Sequence, residues 1–421
     1  MSRGTAALVR LLVAGAAAFA LLAAPALASP SIRYGVQDDA WLRFGPGLLN
    51  DRLDRLQSLG VDLVRVNLSW SEVERRRGVF DWSAYDPVLD GLHERGVEVV
   101  LTLVSAPAWS NGGRGTNWAP RSGAPFAAFA SAAARHYPYV RRWLVWNEPN
   151  QRRWFRPTSP SLYVTRLLNP AYRAIHRVLP RAQVGGGVTA PRGGRGGVSP
   201  VAWMRGMDAA HARLDAYAHN PYPLTPAETP TSGGCEHCTT LTMATLPRLL
   251  ADVKRAFGAK KRVWLTEYGY QTDPPDRFLG VAPKRQARYM SEAALRAYLA
   301  PRVDMLVAYL VQDEPDIARW QSGMITVSGR EKPSYSAFQL PLAVEARSAR
   351  AVTLWGQIRP GSGRQQYVLQ ERRAGRWVDV GRVARTSPHG YFERVVPAVA
   401  GVSYRVLQLT RGLTSGTLVA G

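Results

Sequence analysis

The sequence of 421 residues has few cysteines, few lysines and few acidic side chains. Its only two cysteines form one cluster, and no second cluster exists to complete a structural zinc site. Asp and Glu number 31 against 54 Lys and Arg, of which only five are Lys, so the formal net charge is +23. Hydrophobic residues make up 46% and charged residues 20%, an ordinary globular composition that excludes a wholly disordered or fibrous chain.

The arginine surplus would indicate a nucleic-acid binder if it formed a basic stripe or belonged to a binding motif. The arginines are instead scattered along the chain, and the longest clusters are 75–77 and 152–153. Two interpretations stay open: a coding bias toward solvated arginine, and attraction to an acidic polymer or envelope surface. We expect no nucleic-acid partner.

The N-terminus has the pattern of a secretory signal. Arg3 and Arg10 come before or at the start of an apolar run over 11–24, and a small-residue cleavage site follows at 26–28. This run of 14 residues is shorter than the roughly 20 that a membrane span requires. We therefore expect a signal peptide over 1–28 and a secreted, monomeric mature protein without an integral membrane segment; its net charge is 52 − 31, or +21.

For an exported protein, Cys235 and Cys238 are expected to form a local disulfide. A metal site recruiting Glu236 and His237 and a redox pair are the alternatives. The first lacks enough well-spaced ligands, and the second lacks the expected βαβ context. We expect no metal and no cofactor.

Short apolar runs alternate with amphipathic stretches from residue 31 to about residue 342, which is typical of repeated βα units. The pattern predicts a (β/α)8 barrel over 29–342. The predicted strands are 32–36, 63–67, 97–103, 143–147, 182–187, 216–219, 263–267 and 305–311. The predicted helices include 50–59, 124–135, 160–178, 246–257, 283–299 and 334–340.

The remaining residues, 343–421, have a different pattern. Five short apolar segments separated by Gly-rich turns predict a small all-β, sandwich-like accessory domain. They are 352–358, 366–371, 377–383, 391–396 and 404–409. The domain could bind carbohydrate through Trp355 and Trp377, or could have a packing or spacer role.

Two glutamates stand at the ends of predicted strands. Glu148 follows the fourth strand in Asn147-Glu148-Pro149, and Glu267 ends the seventh. The carboxyl ends of barrel strands form one face, so these side chains are expected to share a cleft. A pair of carboxyl groups suits glycosidic hydrolysis, in which one protonates the leaving oxygen and the other attacks the sugar.

At these residues the sequence resembles glycoside hydrolase clan A, and families 5 and 39 within it. The resemblance covers the barrel, about three quarters of the chain. It implies a retaining glycosidase in which Glu148 is the acid/base and Glu267 the nucleophile.

Other residues extend the resemblance. Strand alternation turns Arg65 inward, where we expect it to pair with Glu267 and lower its pKa. The resemblance implies that Asn147 binds the sugar 2-hydroxyl and that His219 and Tyr222 belong to the substrate site, with the Tyr222 hydroxyl donating to the nucleophile. The spacing between His219 and Tyr222 is one residue longer than the clan's usual pattern.

Aromatic and acidic residues after the strands leave alternatives open. Trp70, Trp109 and Trp320 could form sugar-stacking walls or pack in the core. The resemblance implies a substrate role for Trp320 in particular. Asp38 and Asp39 could contact sugar hydroxyls or cap the following segment.

The leading hypothesis is a secreted retaining glycosidase that cleaves O-glycosidic bonds in an oligo- or polysaccharide, with β-linked substrates expected from the clan. The alternative is a non-catalytic carbohydrate- or cell-wall-binding protein on a barrel scaffold.

Overall fold

The computed structural model describes residues 29–420, so the signal peptide expected at 1–28 lies outside the described residues. Eight parallel strands form a closed barrel in chain order. Each of these strands begins and ends within two residues of its predicted bounds. The strands are β1 Arg33–Gln37, β2 Leu63–Ser69, β3 Glu98–Val104, β4 Arg142–Val145, β5 Gln183–Thr189, β6 Ala216–His219, β7 Arg262–Tyr268 and β8 Val303–Tyr309.

Helices follow the strands and cover the barrel. They are α1 Asp39–Phe44, α2 Leu49–Leu59, α3 Trp70–Val73, α4 Asp86–Glu94, α5 Ala108–Asn111, α6 Gly123–His136, α7 Pro160–Tyr163, α8 Asn169–Val178, α9 Pro200–Ala209, α10 Leu246–Phe257, α11 Pro283–Leu299 and α12 Pro333–Gln339. A π-helical turn, Val164–Leu168, joins α7 to α8, and a 3-10 turn, Met243–Thr245, precedes α10. The helices named from the sequence pattern do not include α1, α3, α4, α5 or α9; of these, α1, α3 and α5 have only four to six residues, too few for a clear helical period.

Alternation along β2 separates the barrel interior from its outer layer. Leu63 packs in the interior, whereas Val64 and Val66 pack against the surrounding helices. Arg65 is fully buried on the interior side. The interior cluster is Leu63, Val100, Leu144, Val188, Ala216, Ala218, Trp264, Met305 and Val307. The apolar layer fills the barrel, as expected for this fold.

The chain after the barrel forms two antiparallel sheets. Their strands are β9 Leu342–Arg347, β10 Ala351–Gln357, β11 Gln366–Arg373, β12 Arg376–Arg385, β13 Tyr391–Pro397, β14 Val402–Gln408 and β15 Leu418–Ala420. One sheet has the order β13-β10-β9 and the other β12-β11-β14-β15. Both contribute to one apolar core, in which the rings of Tyr367 and Phe392 lie 4.6 Å apart. The fold class is therefore confirmed, while the exact division at 342/343 stays a prediction.

The two faces of β10 have different neighbours. Val352 and Leu354 face the core between the sheets, and Trp355 faces the barrel, where it packs on Tyr298 of α11 with ring centroids 5.3 Å apart. Trp355 is fully buried, so it cannot present a sugar-stacking surface. This placement favours the packing role for that tryptophan.

Two further features are a disulfide and the lack of a membrane-spanning helix among the described residues. Cys235 and Cys238 form the expected disulfide, with their Cα atoms 5.4 Å apart. Over the described range, every helix is too short or too polar to cross a bilayer.

Candidate active site

A cavity of about 850 Å³ lies at the carboxyl end of the barrel strands, and both Glu148 and Glu267 line it. They come from β-strand ends on different parts of the barrel, one just after β4 and the other within the last two residues of β7. The two carboxylates selected from the sequence are thus on one concave surface.

The backbone around Glu148 is held in an uncommon conformation. Trp146 and Glu148 have φ angles of +68° and +42°, in the left-handed region that side chains other than glycine rarely adopt. The Glu148 amide donates to the Val188 carbonyl of β5 at 2.9 Å, and the Trp146 amide donates to Leu103 of β3 at 2.8 Å. These neighbouring strands stabilise the strained turn, which directs the Glu148 carboxyl group into the cavity.

Glu267 is buried and is bound by two side chains through its two oxygens. Arg65 Nη1 donates to Oε1 at 2.6 Å, and the Tyr222 hydroxyl donates to Oε2 at 3.1 Å. Arg65 is itself fixed by Thr102, whose hydroxyl accepts from its Nε at 3.0 Å, and by Asn147, whose Oδ1 accepts from its Nη2 at 2.8 Å. The carboxylate therefore has a fixed orientation.

Arg65 lowers the pKa of Glu267, as expected from the sequence, but the net shift of that pKa is upward. Burial is the largest influence and raises the pKa of Glu267 above its ordinary value. The Arg65 charge and the hydrogen bonds from Arg65 and Tyr222 act in the opposite direction, without cancelling the cost of burial. The sequence identified the ion pair and missed the desolvation of the carboxylate.

Glu148 has a different environment. Asn220 Nδ2 donates to its Oε1 at 3.2 Å. Burial and then the charge of Glu267 raise the pKa of Glu148 to about 7, against weaker opposing influences from Asn220, Arg65 and Arg153. A carboxyl group with such a pKa can hold a proton near neutrality and release it to a bound ligand.

His219 does not belong to the cavity wall, contrary to the expectation of a substrate-binding role. It is fully buried, with Nδ1 2.8 Å from the Thr189 hydroxyl and Nε2 2.9 Å from the Leu241 carbonyl. Burial lowers its pKa to about 4. Its ring joins β5, β6 and the segment before α10, so it positions the chain that carries Asn220 and Tyr222.

The sequence analysis missed Asn220. Its Oδ1 accepts from the Thr266 hydroxyl at 2.7 Å while its Nδ2 donates to Glu148, so the side chain connects β7 to the acid/base candidate. A polar residue directly after β6 was a usable signal.

Asn147 and Trp320 line the cavity with Tyr222. Trp320 is 38% exposed, and its ring lies 5.1 Å from that of Tyr222 and 5.7 Å from that of Tyr309. This exposed aromatic face can stack on a sugar ring. Of the alternatives left open, the sugar-wall interpretation suits Trp320.

Trp70 and Trp109 pack in the core. Trp70 is fully buried against Phe126 and Phe129, and Trp109 packs against it and donates to the Glu74 carbonyl at 2.9 Å. Neither lines the cavity. Two other tryptophans that the sequence analysis did not select do so: Trp146, which is almost fully buried, and Trp154, which is 39% exposed.

Asp38 and Asp39 divide the two roles that the sequence left open. Asp38 accepts from the amides of Trp41, Val311 and Gln312 at 3.0–3.1 Å, so it caps α1 and holds the end of β8. Asp39 lines the cavity and accepts from the Asn67 amide and side chain at 2.7 and 2.8 Å. Only Asp39 is available to a ligand.

Comparisons with known proteins agree with this architecture. The glycoside hydrolase family 42 model, described as beta-galactosidase, matches residues 40–112. No curated protein matches the sequence. A family 39 glycoside hydrolase from Bacteroides cellulosilyticus WH2 aligns with a TM-score of 0.60 at 17% identity, covering 90% of this chain and 82% of the other.

Two further solved structures are similar over comparable lengths. A glucosidase from Croceicoccus marinus has a TM-score of 0.61 at 13% identity, covering 91% of this chain and 96% of the other. A family 39 enzyme from Xanthomonas axonopodis pv. citri has a TM-score of 0.58 at 15% identity, covering 93% and 94%. The chain thus resembles clan A glycoside hydrolases in fold, over both the barrel and the C-terminal β region.

Proposed function

We propose that this protein is a retaining glycoside hydrolase that cleaves O-glycosidic bonds in an oligo- or polysaccharide. One observation carries the proposal: Glu148 and Glu267 line the same cavity in contrasting environments. Glu148 holds its proton to a pKa of about 7, and Glu267 receives hydrogen bonds from a guanidinium and a phenol. A proton donor and an oriented carboxylate are the two groups that double displacement requires.

In the first step, a Glu267 oxygen forms a bond to the anomeric carbon as the bond from that carbon to the leaving oxygen breaks. Glu148 transfers its proton to the leaving oxygen, which departs as an alcohol. Arg65 and Tyr222 orient Glu267 for this attack. The products of the step are a glycosyl ester on Glu267 and an ionised Glu148.

In the second step, water attacks the anomeric carbon and the ester bond to Glu267 breaks. Glu148 accepts the proton from the water, which restores both carboxyl groups to their starting states. Two inversions at the same carbon give net retention. No cofactor takes part in either step.

The remaining cavity residues suit a sugar ring. Trp320 offers an aromatic face, and Asn147 and Asp39 offer polar atoms for hydroxyl groups. We expect Asn147 to bind the 2-hydroxyl and the substrate to be β-linked. The description of the matching family model as beta-galactosidase supports that linkage.

A non-catalytic carbohydrate-binding protein is the competing function. Such a protein needs stacking surfaces and hydroxyl partners, which this cavity has. It does not need a buried carboxylate fixed by Arg65 and Tyr222 beside a second carboxyl group of raised pKa. The desolvation of two acids has a free-energy cost that carbohydrate binding alone does not require. This cost favours the hydrolase over the binding protein.

We also propose export after removal of residues 1–28, and a monomeric mature protein. Ser29 would then be the first residue, and its backbone nitrogen donates to the Tyr298 carbonyl at 2.7 Å. N-terminal sequencing of the exported protein and light scattering test these two proposals. A retained leader or a stable dimer would contradict the respective one.

The function is tested with aryl glycosides and the substitutions Glu267→Ala and Glu148→Ala. We expect each to lower kcat/KM by roughly 10²–10⁴-fold, with azide restoring turnover through a glycosyl azide. Glu94→Ala, on the exposed surface of α4, is the matched control and should retain activity. Unchanged turnover in Glu267→Ala, or an inverted product by NMR, would contradict the proposal.

A further inference from the structure

One side of the cavity mouth is rich in arginine and almost free of acidic residues. Three loops form it, 105–122 after β3, 146–159 after β4 and 190–199 after β5, and Glu148 is their only carboxylate. Six exposed arginines lie in these loops: Arg114, Arg121, Arg152, Arg153, Arg192 and Arg195. We call these six side chains the arginine wall.

Hydrogen bonds join the three loops into one surface. The Asn117 side chain donates to the Arg153 carbonyl at 3.0 Å, and the Arg156 amide donates to the Asn117 carbonyl at 2.8 Å. The Val198 amide donates to the Asn150 carbonyl at 2.8 Å, and Gln151 donates to the carbonyl of Arg192. The backbones that carry these arginines are therefore fixed relative to one another.

The arginine wall has no acidic partners within residues 29–420. None of the ion pairs there includes any of its six side chains. Two of its guanidiniums lie on aromatic rings instead, Arg114 at 4.2 Å from the Trp118 centroid and Arg153 at 4.9 Å from that of Trp154. A stacked guanidinium keeps its N–H groups at the edge available to an anion.

This surface reaches the cavity on the side of Glu148. Arg153 and Arg192 line the cavity together with Trp154 and Gln151. The positive charge of Arg153 also acts on the Glu148 carboxyl group, consistent with their proximity. The leaving group must approach Glu148 to receive its proton, so the arginine wall is beside the leaving-group side of the scissile bond.

The facing side of the cavity differs in charge. Its arginine, Arg43, is 3.1 Å from Glu72, and Asp39 lies beside it on the cavity wall. An anionic ligand group would meet carboxylates there and unpaired guanidiniums on the Glu148 side. The cavity therefore favours an anionic ligand group on the Glu148 side over the same group on the Asp39 side.

We infer that the substrate is an acidic glycan, and that the arginine wall binds its anionic rings on the leaving-group side. The inference rests on the proposed function for the identity of that side. Carboxylate and sulfate groups both match the planar N–H pairs of arginine, so a uronate or a sulfated sugar is the expected chemistry. Adjacent Trp154 supplies a ring for stacking.

Binding to the full mature protein gives the first test, with calorimetry at low and at 0.5 M salt. The probes are hexasaccharides of glucuronate and galacturonate, a sulfated hexasaccharide, a neutral glucose hexasaccharide and inorganic polyphosphate. We expect at least one acidic sugar to bind about tenfold or more tightly than the neutral one, with affinity falling in salt. Equal binding of neutral and acidic sugars, or polyphosphate binding as tightly as the best sugar, would overturn the inference.

Matched double variants give the second test. Arg153→Gln with Arg192→Gln removes two charges from the arginine wall, whereas Arg141→Gln with Arg181→Gln removes two exposed charges just before the same strands, β4 and β5, at the opposite end of the barrel. We expect the acidic-to-neutral affinity ratio to fall about tenfold or more in the first pair only. An equal fall in both pairs, or an unchanged ratio in the first, would contradict a specific wall.

The two proposals can fail separately. Acidic-glycan binding without hydrolysis of any glycoside would contradict the hydrolase and leave the arginine wall intact. Hydrolysis of aryl glycosides without preference for acidic sugars would do the reverse. The variants are compared at equal circular dichroism and thermal midpoint, so that loss of folding is detected.

Discussion

At Glu148 and Glu267 the protein places one type of side chain in two electrostatic settings. Glu267 has a guanidinium and a phenol against its oxygens, whereas Glu148 has one amide donor and a neighbouring negative charge. The difference favours proton release from Glu267 first. It supports the proposed roles, with Glu267 as the attacking group and Glu148 as the proton donor.

The pH dependence of kcat/KM should follow from the raised pKa of Glu148. The protonated form is the acid, so activity should fall as the pH rises through about 7. Glu267 must be ionised, and its protonation should produce the acid limb. Initial rates on an aryl glycoside between pH 4 and pH 9 measure both limbs. Activity that stays constant to pH 9 would contradict the assignment of Glu148.

Tyr222→Phe should shift the acid limb toward higher pH. The hydroxyl donates to ionised Glu267 at 3.1 Å, so its removal should raise the pKa of Glu267 further. We expect kcat/KM at the optimum to fall about 10-fold, the lower end of the range for a hydrogen bond to a charged group. Tyr139→Phe is the control. It removes a hydroxyl that donates to Asp90 at a distance of 2.6 Å, at a site outside the cavity, so the pH profile of kcat/KM should not shift. An unshifted acid limb in Tyr222→Phe would exclude this role.

At the scale of the element, β5 depends on glycine because its neighbours approach closely. A Cβ on Gly185 would lie 2.7 Å from Leu144, and one on Gly187 would lie 2.5 Å from the Tyr217 ring. Gly187 also has a φ of +91°. Val188 lies near the end of β5, and its carbonyl accepts from the Glu148 amide. The geometry of β5 therefore also determines the position of the acid/base candidate.

Gly187→Ala should therefore lower the free energy of unfolding by about 3 kcal/mol, from the unfavourable φ and the contact with Tyr217 combined. Gly96→Ala is the matched control, because Gly96 also has a positive φ, +69°, but faces open space. It should cost about 1 kcal/mol. Urea unfolding monitored by tryptophan fluorescence compares them. Equal losses would show that the Tyr217 contact relaxes at no cost.

At the scale of the whole molecule, Arg359 ties the C-terminal β region to the barrel. Its guanidinium carbon lies 3.7 Å from the Tyr34 ring centroid of β1 and 4.7 Å from that of Phe338 in α12. Its Nη1 donates to the Phe338 carbonyl at 3.0 Å. The side chain is almost fully buried, so the contact is part of a shared core.

Arg359→Ala should destabilise the protein by about 3 kcal/mol, through the lost packing and cation–π contacts. Differential scanning calorimetry should show a lower Tm, and a separate transition for the β region if the coupling is lost. The control is Arg364→Ala, which removes an exposed arginine from the same region and should change Tm little. Equal Tm values for the two variants would show that Arg359 does not couple the barrel to the β region.

The positive charge is also a property of the whole molecule. The sequence shows the surplus but only short clusters of two or three arginines, because the six residues of the arginine wall come from three separate loops. Folding brings those loops to one side of the cavity. Part of the net charge of +21 expected for the mature chain is therefore concentrated beside the cavity.

The sequence by itself determined the barrel strands, the all-β C-terminal region and the two glutamates of the candidate site. Period-two alternation and the shared carboxyl end of parallel strands are local rules, so Arg65, Glu148 and Glu267 could be selected from their positions along the chain. Only the tertiary structure decided which polar groups face the cavity and at what electrostatic cost. The burial of His219, the contact of Asn220 with Glu148 and the raised pKa of Glu267 depend on atoms from distant strands, because desolvation is a property of the surrounding volume.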